Sequence, residues 1–489
     1  MTKHRLSKSR FVTGLQCHKF LWWRVHEPEA PELQPDKVLE DLFSQGRHVG
    51  RVAAEDFPSG RLVDLPYNEY DAKVSTTQEA LADGATVVFE ASFKADEVFV
   101  AVDVLERIED GFILIEVKSS TSQKPEHIWD AAIQAHVLHK NGVAVSRAEI
   151  MHLNRDHRNP GIGELFERTD VTAEVEQFLP MVPDEIDQQL EILAGPLPEK
   201  AIGSQCFEPR ECPFMARCWP DVANHIRTLY NVGPKKTCSY MQQGVHTIED
   251  LPAKTKLPPA AQRQLKSLDE DRLIVEQSLQ ESLQQFSGRV GHLDFETVMR
   301  AIPVWPGIRP WGAATAQFSY HEEADDGSFS HVGYLAEGPH DPRPELAQAM
   351  LEATAEADKI VTYSAYEKRM IRELQEAIPY LAEPLTELES KLIDLLPVVR
   401  NNVYDPDFKG SFSLKAILNP LVPELTYDDL VIVDGRVASV EIARLLFVTH
   451  KIPEEERDRI RQDLLDYCER DTWATVKLLE RLRELAGET

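Results

Sequence analysis

The sequence predicts an α/β protein of more than one domain, and three observations carry that expectation. The chain has 489 residues, a length that corresponds to roughly two to four domains. Strand-like apolar runs alternate with helical patterns in both halves. In two separate places, near 103–118 and near 294–296, acidic residues sit in or at the ends of strand-like runs.

Composition narrows the function classes. With 42% hydrophobic residues the chain can bury substantial cores, and the formal net charge of −29 repels nucleic acid as a whole. A protein that coats DNA would be basic instead. A metal-dependent nuclease remains compatible, because carboxylates that hold cations add negative charge locally. No apolar run reaches the roughly 18–20 residues of a membrane span, so no membrane association is expected. The start, MTKHRLSKSRF, is basic and lacks the apolar core of a signal peptide; the expected compartment is the cytoplasm. Six cysteines are too few for a disulfide scaffold, which puts metal and redox roles first.

Three regions are expected: 1–225, 226–287 and 288–489. In the first, residues 36–57 (DKVLEDLFSQGRHVGRVAAEDF) read as a helix. Residues 87–104 and 111–117 read as strands joined by the turn Glu109-Asp110-Gly111. Residues 126–142 form a helix closed by Gly142, 146–154 a strand, and 170–195 an amphipathic helical stretch. The middle region is short and helical. In the third, RVGHLDFET opens a strand, KIVTYS (359–364) another, and AYEKRMIRELQEAI and LIDLLPVVRNN read as helical. A long C-terminal helix carries YCERD, with loops at 302–310 and 322–329.

The first chemical constellation lies in VFVAVDVLERIEDGFILIEVK. A hairpin brings Asp103 near Glu116 and Lys118, and residues two apart on a strand share a face. Paired carboxylates at strand ends can hold Mg²⁺ or Mn²⁺ through oxygen. A neighbouring lysine can orient or help deprotonate water and stabilise charge building on a phosphate. Glu90 ends a preceding apolar run. Asp130 and Gln134, at i and i+4, share a helix face after Lys118. Taken alone, Asp-…-Glu-x-Lys also fits a surface hairpin with scattered charges. The order His48, Asp103, Glu116-x-Lys118, Gln134 resembles the PD-(D/E)xK nucleases of the RecB type, including CRISPR-associated RecB-like nucleases. That resemblance implies a restriction-endonuclease-like fold, His48, Asp103 and Glu116 as metal ligands, Lys118 as catalytic, and Gln134 lining the site. The family's tyrosine one turn after that glutamine is replaced here by Val137 and Leu138.

The second constellation is Cys206, Cys212 and Cys218, with Cys17 far upstream in GLQCHKFLWW. Three thiols in one short segment look like ligands for an iron–sulfur cluster or for zinc, and free buried thiols are the remaining reading. One N-terminal cysteine plus three after the nuclease core is similar to the iron–sulfur RecB-family nucleases, AddB among them. The resemblance implies a structural [4Fe–4S] cluster clipping both ends of the domain, although the first gap here departs from the family's C-x₂-C-x₅-C. Cys238 and Cys468 read as core cysteines. The middle segment, LYNVGPKKTCSYMQQGVHTIEDLPA, resembles a helix-hairpin-helix module. Such a module would contact phosphates through backbone N–H groups near Gly233, helped by Lys235 and Lys236. The competing reading is a capped helical linker.

The third constellation places Asp294 and Glu296 on one face of a strand, and Tyr467 and Asp471 on one face of a helix. Asp-x-Glu on a first strand with Tyr-x₃-Asp on a late helix resembles the DnaQ-type 3′–5′ exonucleases of the RNase H-like fold. The resemblance implies two metals held by four acids and a tyrosine that positions the attacking water. Where the family has Asn and then Phe/Tyr-Asp, this chain has Ser364 and Tyr366-Glu367; Asp394 matches a further acid. Ser411 and Lys415, in a Gly-started helix, are candidates to touch phosphate.

Together these resemblances imply a largely uncharacterised family that fuses a RecB-like nuclease domain to an RNase H-like exonuclease domain. The expected activity is metal-dependent hydrolysis of DNA, single-stranded or at duplex ends, in repair, recombination or defence, with RNA as a second candidate substrate. The alternatives are a non-catalytic, partly degenerate iron–sulfur subunit that binds nucleic acid beside a helicase partner, and a zinc-bound interaction protein.

Overall fold

The computed structural model describes residues 6–66, 68–324 and 326–487. The chain divides into two compact units, residues 1–220 with 300–304 and 309–311, and residues 221–299 with 305–308 and 312–489. The expected middle region, 226–287, falls within the second unit.

In the first unit, helices α1 (Lys8–Gln16), α2 (His18–His26) and α3 (Lys37–Ala53) precede the sheet. The β-branched run from 87 onward then folds as β1 (Val87–Ala95), β2 (Val98–Ile108) and β3 (Gly111–Lys118). The single strand expected over 87–104 is therefore two strands. Asp96 and Glu97 both adopt positive φ, 49° and 60°, the backbone a two-residue hairpin turn requires. Helix α4 (Pro125–Lys140) crosses to β4 (Val145–Leu153), and β5 (Phe166–Asp170) completes the order β1-β2-β3-β4-β5. β3 and β4 are parallel and the other neighbours in this series antiparallel. Two short strands extend the sheet: Arg61–Leu62 beside β1 and Leu6–Ser7 beside β2. The amphipathic stretch at 170–195 is two helices, Thr172–Phe178 and Val182–Ala194, parted around Pro180.

Strand period decides which side chains meet. Phe112 and Leu114 pack with Ile128, Ala131 and Ala135 of α4, whereas Ile113 and Ile115 pack on the opposite face with Ala53 and Phe57. Glu116 and Lys118 continue the Leu114 series and so face α4.

In the second unit, α5 (Pro234–Gln242) and α6 (Pro259–Glu270) come first. The sheet is built from β6 (Val290–Met299), β7 (Ala313–Glu323), β8 (Phe329–Leu335), β9 (Lys359–Thr362) and β10 (Leu392–Asp394), in the order β8-β7-β6-β9-β10. The first three are antiparallel, and β9 and β10 run parallel to β6. The stretch LIDLLPVVRNN is not wholly helical: Leu392–Asp394 pairs with β9 before a helix runs from Leu396 to Asn402. The pairing places Asp394 beside Thr362 at the strand end. Helix α7 (Tyr366–Ala377) lies between β9 and β10, followed after β10 by α8 (Leu414–Leu421), α9 (Gly435–Phe447) and α10 (Glu454–Leu485). Leu293 and Phe295 of β6 pack with Phe318, Leu346 and Ile371. The intervening His292, Asp294 and Glu296 point the other way, and His292 bonds Thr475 of α10.

Leu114 is fully buried against α4. Leu114→Ala is expected to lower unfolding free energy by about 2–5 kcal/mol, measured by urea denaturation. A change below about 1 kcal/mol would contradict the packing described.

Candidate active sites in two carboxylate clusters

The first cluster is built on β2, β3 and α4. Asp103 accepts a hydrogen bond from the Val117 N–H at 2.8 Å. Glu116, only 1% exposed, accepts from Lys118 Nζ at 2.7 Å and from Gln134 Nε2 at 2.7 Å. Lys118 also pairs with Asp130 at 2.5 Å, so the i, i+4 pair Asp130 and Gln134 does converge on the β3 residues. Glu90, within β1 where its register with β2 skips a residue, holds φ at 54°, a conformation that costs a non-glycine residue energy.

Lys8 completes this cluster and is not evident from the sequence. Its ammonium donates to both Glu116 oxygens, at 2.7 and 2.8 Å, and lies 3.5 Å from Asp103 Oδ1. Ser7 caps α1 and pairs beside Phe99 of β2, which delivers Lys8 to residues about a hundred positions away. Burial works against both lysine charges. Asp103 and Glu116 outweigh it for Lys8, and Glu116 and Asp130 for Lys118, so both are held above the usual lysine range. Burial would likewise raise Glu116, but Lys118 and Lys8 hold it well below the carboxylate range. Burial and the Glu116 charge push Asp103 up. Lys118 is thus a firmly charged group, suited to stabilising anionic charge and unsuited to taking a proton from water. His48 does not join the cluster. Its side chain is largely exposed, and partial burial, then the Arg51 and Arg300 charges, hold its imidazole below the usual range, with Glu55 opposing them. On α3 the buried stripe is Gln45, Val49 and Ala53.

The second cluster is tighter. One oxygen each from Asp294, Glu296 and Asp471 lies within 4.8 Å of the others. They sit beside a cavity of about 550 Å³ lined in part by Asp294, Ser364, Lys415, Asp471 and Thr475. Burial and mutual repulsion push Asp294 and Glu296 well above the carboxylate range. Burial raises Asp471 too, partly offset by a hydrogen bond from Tyr427. Tyr467 approaches the same carboxylate, and its hydroxyl accepts from Lys415 Nζ at 3.0 Å. Burial and Asp471 push both phenols up, so they stay protonated. Glu367 is buried, accepts from Ser364 Oγ at 3.3 Å, and is pushed up to about 7, mainly by burial. Its charge acts on Asp294, and that of Asp394 acts on it. Ser364 carries a strained φ of 148°. Sequence reasoning missed Tyr427 and found Lys415 only as a candidate phosphate contact. Ser411, the other such candidate, bonds Ser413.

Residues 291–413 match a family described as "Domain of unknown function (DUF2779)". No curated protein matches the chain. Among solved structures, one titled "Crystal structure of SSO0001" is similar at 10% identity and a TM-score of 0.25, over 46% of this chain and 90% of that one.

The donors of the second cluster fit a hard divalent cation: they are carboxylate oxygens, close together, whose repulsion a cation would relieve. The first cluster offers Asp103 and Glu116, with the Lys8 ammonium already between them. Cys17, Cys206, Cys212 and Cys218 all line one cavity of about 20 Å³. Burial raises the Cys212 thiol to about 11, with smaller contributions from the other three. Among the described residues, no three of these sulfurs lie within 4.8 Å of one another as a set. Tetrahedral zinc would hold its sulfurs roughly 3.8 Å apart, tighter than any three of these are placed. Gly233, at φ 50°, caps α5, and Lys235 and Lys236 are exposed on its first turn. The second helix of the expected hairpin does not follow Ile248; α6 begins only at Pro259.

Two outcomes are expected. Glu367 carries a raised pKa, so its contribution to stability is fully present below the usual glutamate value and is lost as pH rises through about 7. In EDTA, Glu367→Gln should therefore gain in melting temperature relative to wild type between about pH 4.5 and about pH 7; a constant difference would contradict the burial described. Lys8→Met should tighten Mn²⁺ binding by at least about tenfold at one site, read by electron paramagnetic resonance, because a cation a few ångströms from another repels it by roughly 4 kcal/mol. Unchanged or weaker binding would exclude competition between Lys8 and the metal.

Proposed function

We propose that this chain is a metal-dependent nuclease that hydrolyses phosphodiester bonds in DNA, with RNA as the second candidate substrate. The observation that carries this reading is the convergence of Asp294, Glu296 and Asp471 within 4.8 Å beside an open cavity. The order β8-β7-β6-β9-β10 supports an RNase H-like assignment for the second unit. The β1-β2-β3 meander followed by α4 and parallel β4 supports a PD-(D/E)xK assignment for the first.

Bound Mg²⁺ or Mn²⁺ would lower the pKa of a water and polarise a phosphoryl oxygen. The residues of the chain supply the rest. Asp294, Glu296 and Asp471 would hold the cation, with Glu367 and Asp394 flanking them. Glu367 is one methylene longer than an aspartate and lies beside the trio rather than within it. Protonated Tyr467 positions water, and Lys415 places positive charge at the cavity for a phosphate. In the first unit, charged Lys118 stabilises the anionic phosphorane. The four cysteines would hold an iron–sulfur cluster that ties α1 and α2 to the 204–218 segment, where Gln16 already bonds the Gln205 and Arg210 carbonyls.

The position of Lys8 favours a second reading for the first unit alone. Its ammonium satisfies the very carboxylates a metal would need, as expected of a nucleic-acid-binding module that serves a helicase partner without cutting. Anaerobically purified protein with Mn²⁺ and end-labelled single-stranded DNA separates these readings. Lys118→Ala and Asp471→Ala should each remove a different product series by roughly 10²-fold or more. Loss of product only in Asp471→Ala assigns the first unit to binding, and absence of any product from wild type contradicts the nuclease reading.

A further inference from the structure

A group of metal-ligating side chains outside both carboxylate clusters lies where β7, β8 and α10 meet. His321 and His331 are direct cross-strand partners on β7 and β8, and their rings stack with centroids 4.5 Å apart. One nitrogen of each ring and one carboxylate oxygen of Glu469 lie within 4.8 Å of one another. Glu469 Oε2 is 3.7 Å from His331 Nδ1.

The hydrogen bonds behind the rings decide which nitrogens are available. Thr472 Oγ1 lies 3.0 Å from the Glu469 carbonyl, which can only accept, so the Thr472 proton points there. Ser319 Oγ, 2.7 Å from Thr472 Oγ1, must then be the donor of that pair. With its proton committed, Ser319 can only accept from His331 Nε2 at 2.9 Å. By the same logic Thr472 accepts from His321 Nδ1 at 2.8 Å. Every donor is satisfied by this one assignment. It leaves lone pairs on His321 Nε2 and His331 Nδ1, the nitrogens not used by the hydroxyls. A ring whose far N–H is fixed by a protein acceptor is the usual support behind a metal-bound histidine.

We propose that His321, His331 and Glu469 form a binding site for a zinc-class transition ion that clips β7 and β8 to α10. Two imidazoles and a carboxylate are a donor set suited to zinc, cobalt or nickel and poorly suited to magnesium. Three protein ligands leave a fourth position for water. His331 and Glu469 are partly exposed, so the ion can enter from solvent. Burial and the neighbouring His331 charge lower His321 to about 4, which keeps that ring neutral near neutral pH. Glu469 and Thr472 flank Asp471 on α10, and Ser319 sits opposite Asp294 in the β6–β7 register. The clip therefore steadies the helix and strand that present the second carboxylate cluster, but it does not depend on any activity of that cluster.

The test is equilibrium dialysis of the full chain against micromolar Zn²⁺ in excess Mg²⁺, with bound zinc counted by atomic emission. Zinc on the cysteines is common to all samples and cancels in the difference. Wild type should hold one zinc more than His331→Ala and than Glu469→Gln, and zinc should raise the melting temperature of wild type above its effect on either variant. Both substitutions are at exposed positions and should leave the fold intact, which far-ultraviolet circular dichroism checks. Equal zinc content in wild type and both variants would overturn the proposal.

Discussion

Mutual repulsion among buried carboxylates is the constraint around which the second unit is arranged. Asp294, Glu296 and Asp471 are brought together by one strand and one helix, and the Lys415 charge acts on Glu296 and Asp471. Burial removes the water that would screen them. They can remain together as protons are taken up, as the pushed-up Asp294 and Glu296 reflect, or as a cation is bound. The surrounding hydroxyls serve the same end. Tyr427 and Tyr467 both approach Asp471, and burial, then that carboxylate, pushes both phenols up.

The first unit meets a similar constraint differently. Glu116 is satisfied by two ammonium groups and an amide, so it remains ionised with protein partners alone. The contrast is physical. One cluster has two ammonium groups bonded to its carboxylates, and in the other Lys415 acts on Glu296 and Asp471 by charge while bonding Tyr467 instead. That difference is why the first unit supports both a catalytic and a binding reading, whereas the second is the better candidate for a cation.

Much of both clusters was legible because the spacing is local. Residues two apart on β3 and β6 share a face whatever the tertiary fold, as do residues four apart on α4 and α10. Hence Glu116 with Lys118, Asp130 with Gln134, Asp294 with Glu296 and Tyr467 with Asp471 could each be read in pairs. Lys8 and Tyr427 could not, because each arrives from a segment that only chain topology brings near. His48 shows the limit of borrowing a residue from a resemblance: the buried stripe of α3 passes through Gln45, Val49 and Ala53 and leaves His48 at the surface. The turn at Asp96-Glu97 was hidden within one long apolar run. Leu392–Asp394 read as helix because its apolar residues continue into a true helix, and only pairing with β9 makes it a strand. The histidine pair on β7 and β8 gave no signal, since cross-strand partners ten residues apart have no fixed spacing.

The most direct test of the central claim, that the Asp294–Glu296–Asp471 cluster exists to hold a divalent cation, is anomalous diffraction at the manganese edge from crystals grown with Mn²⁺. The account predicts an anomalous peak within about 2.0–2.3 Å of oxygens from all three carboxylates. Manganese bound elsewhere on the chain, with no peak among these three, would contradict it.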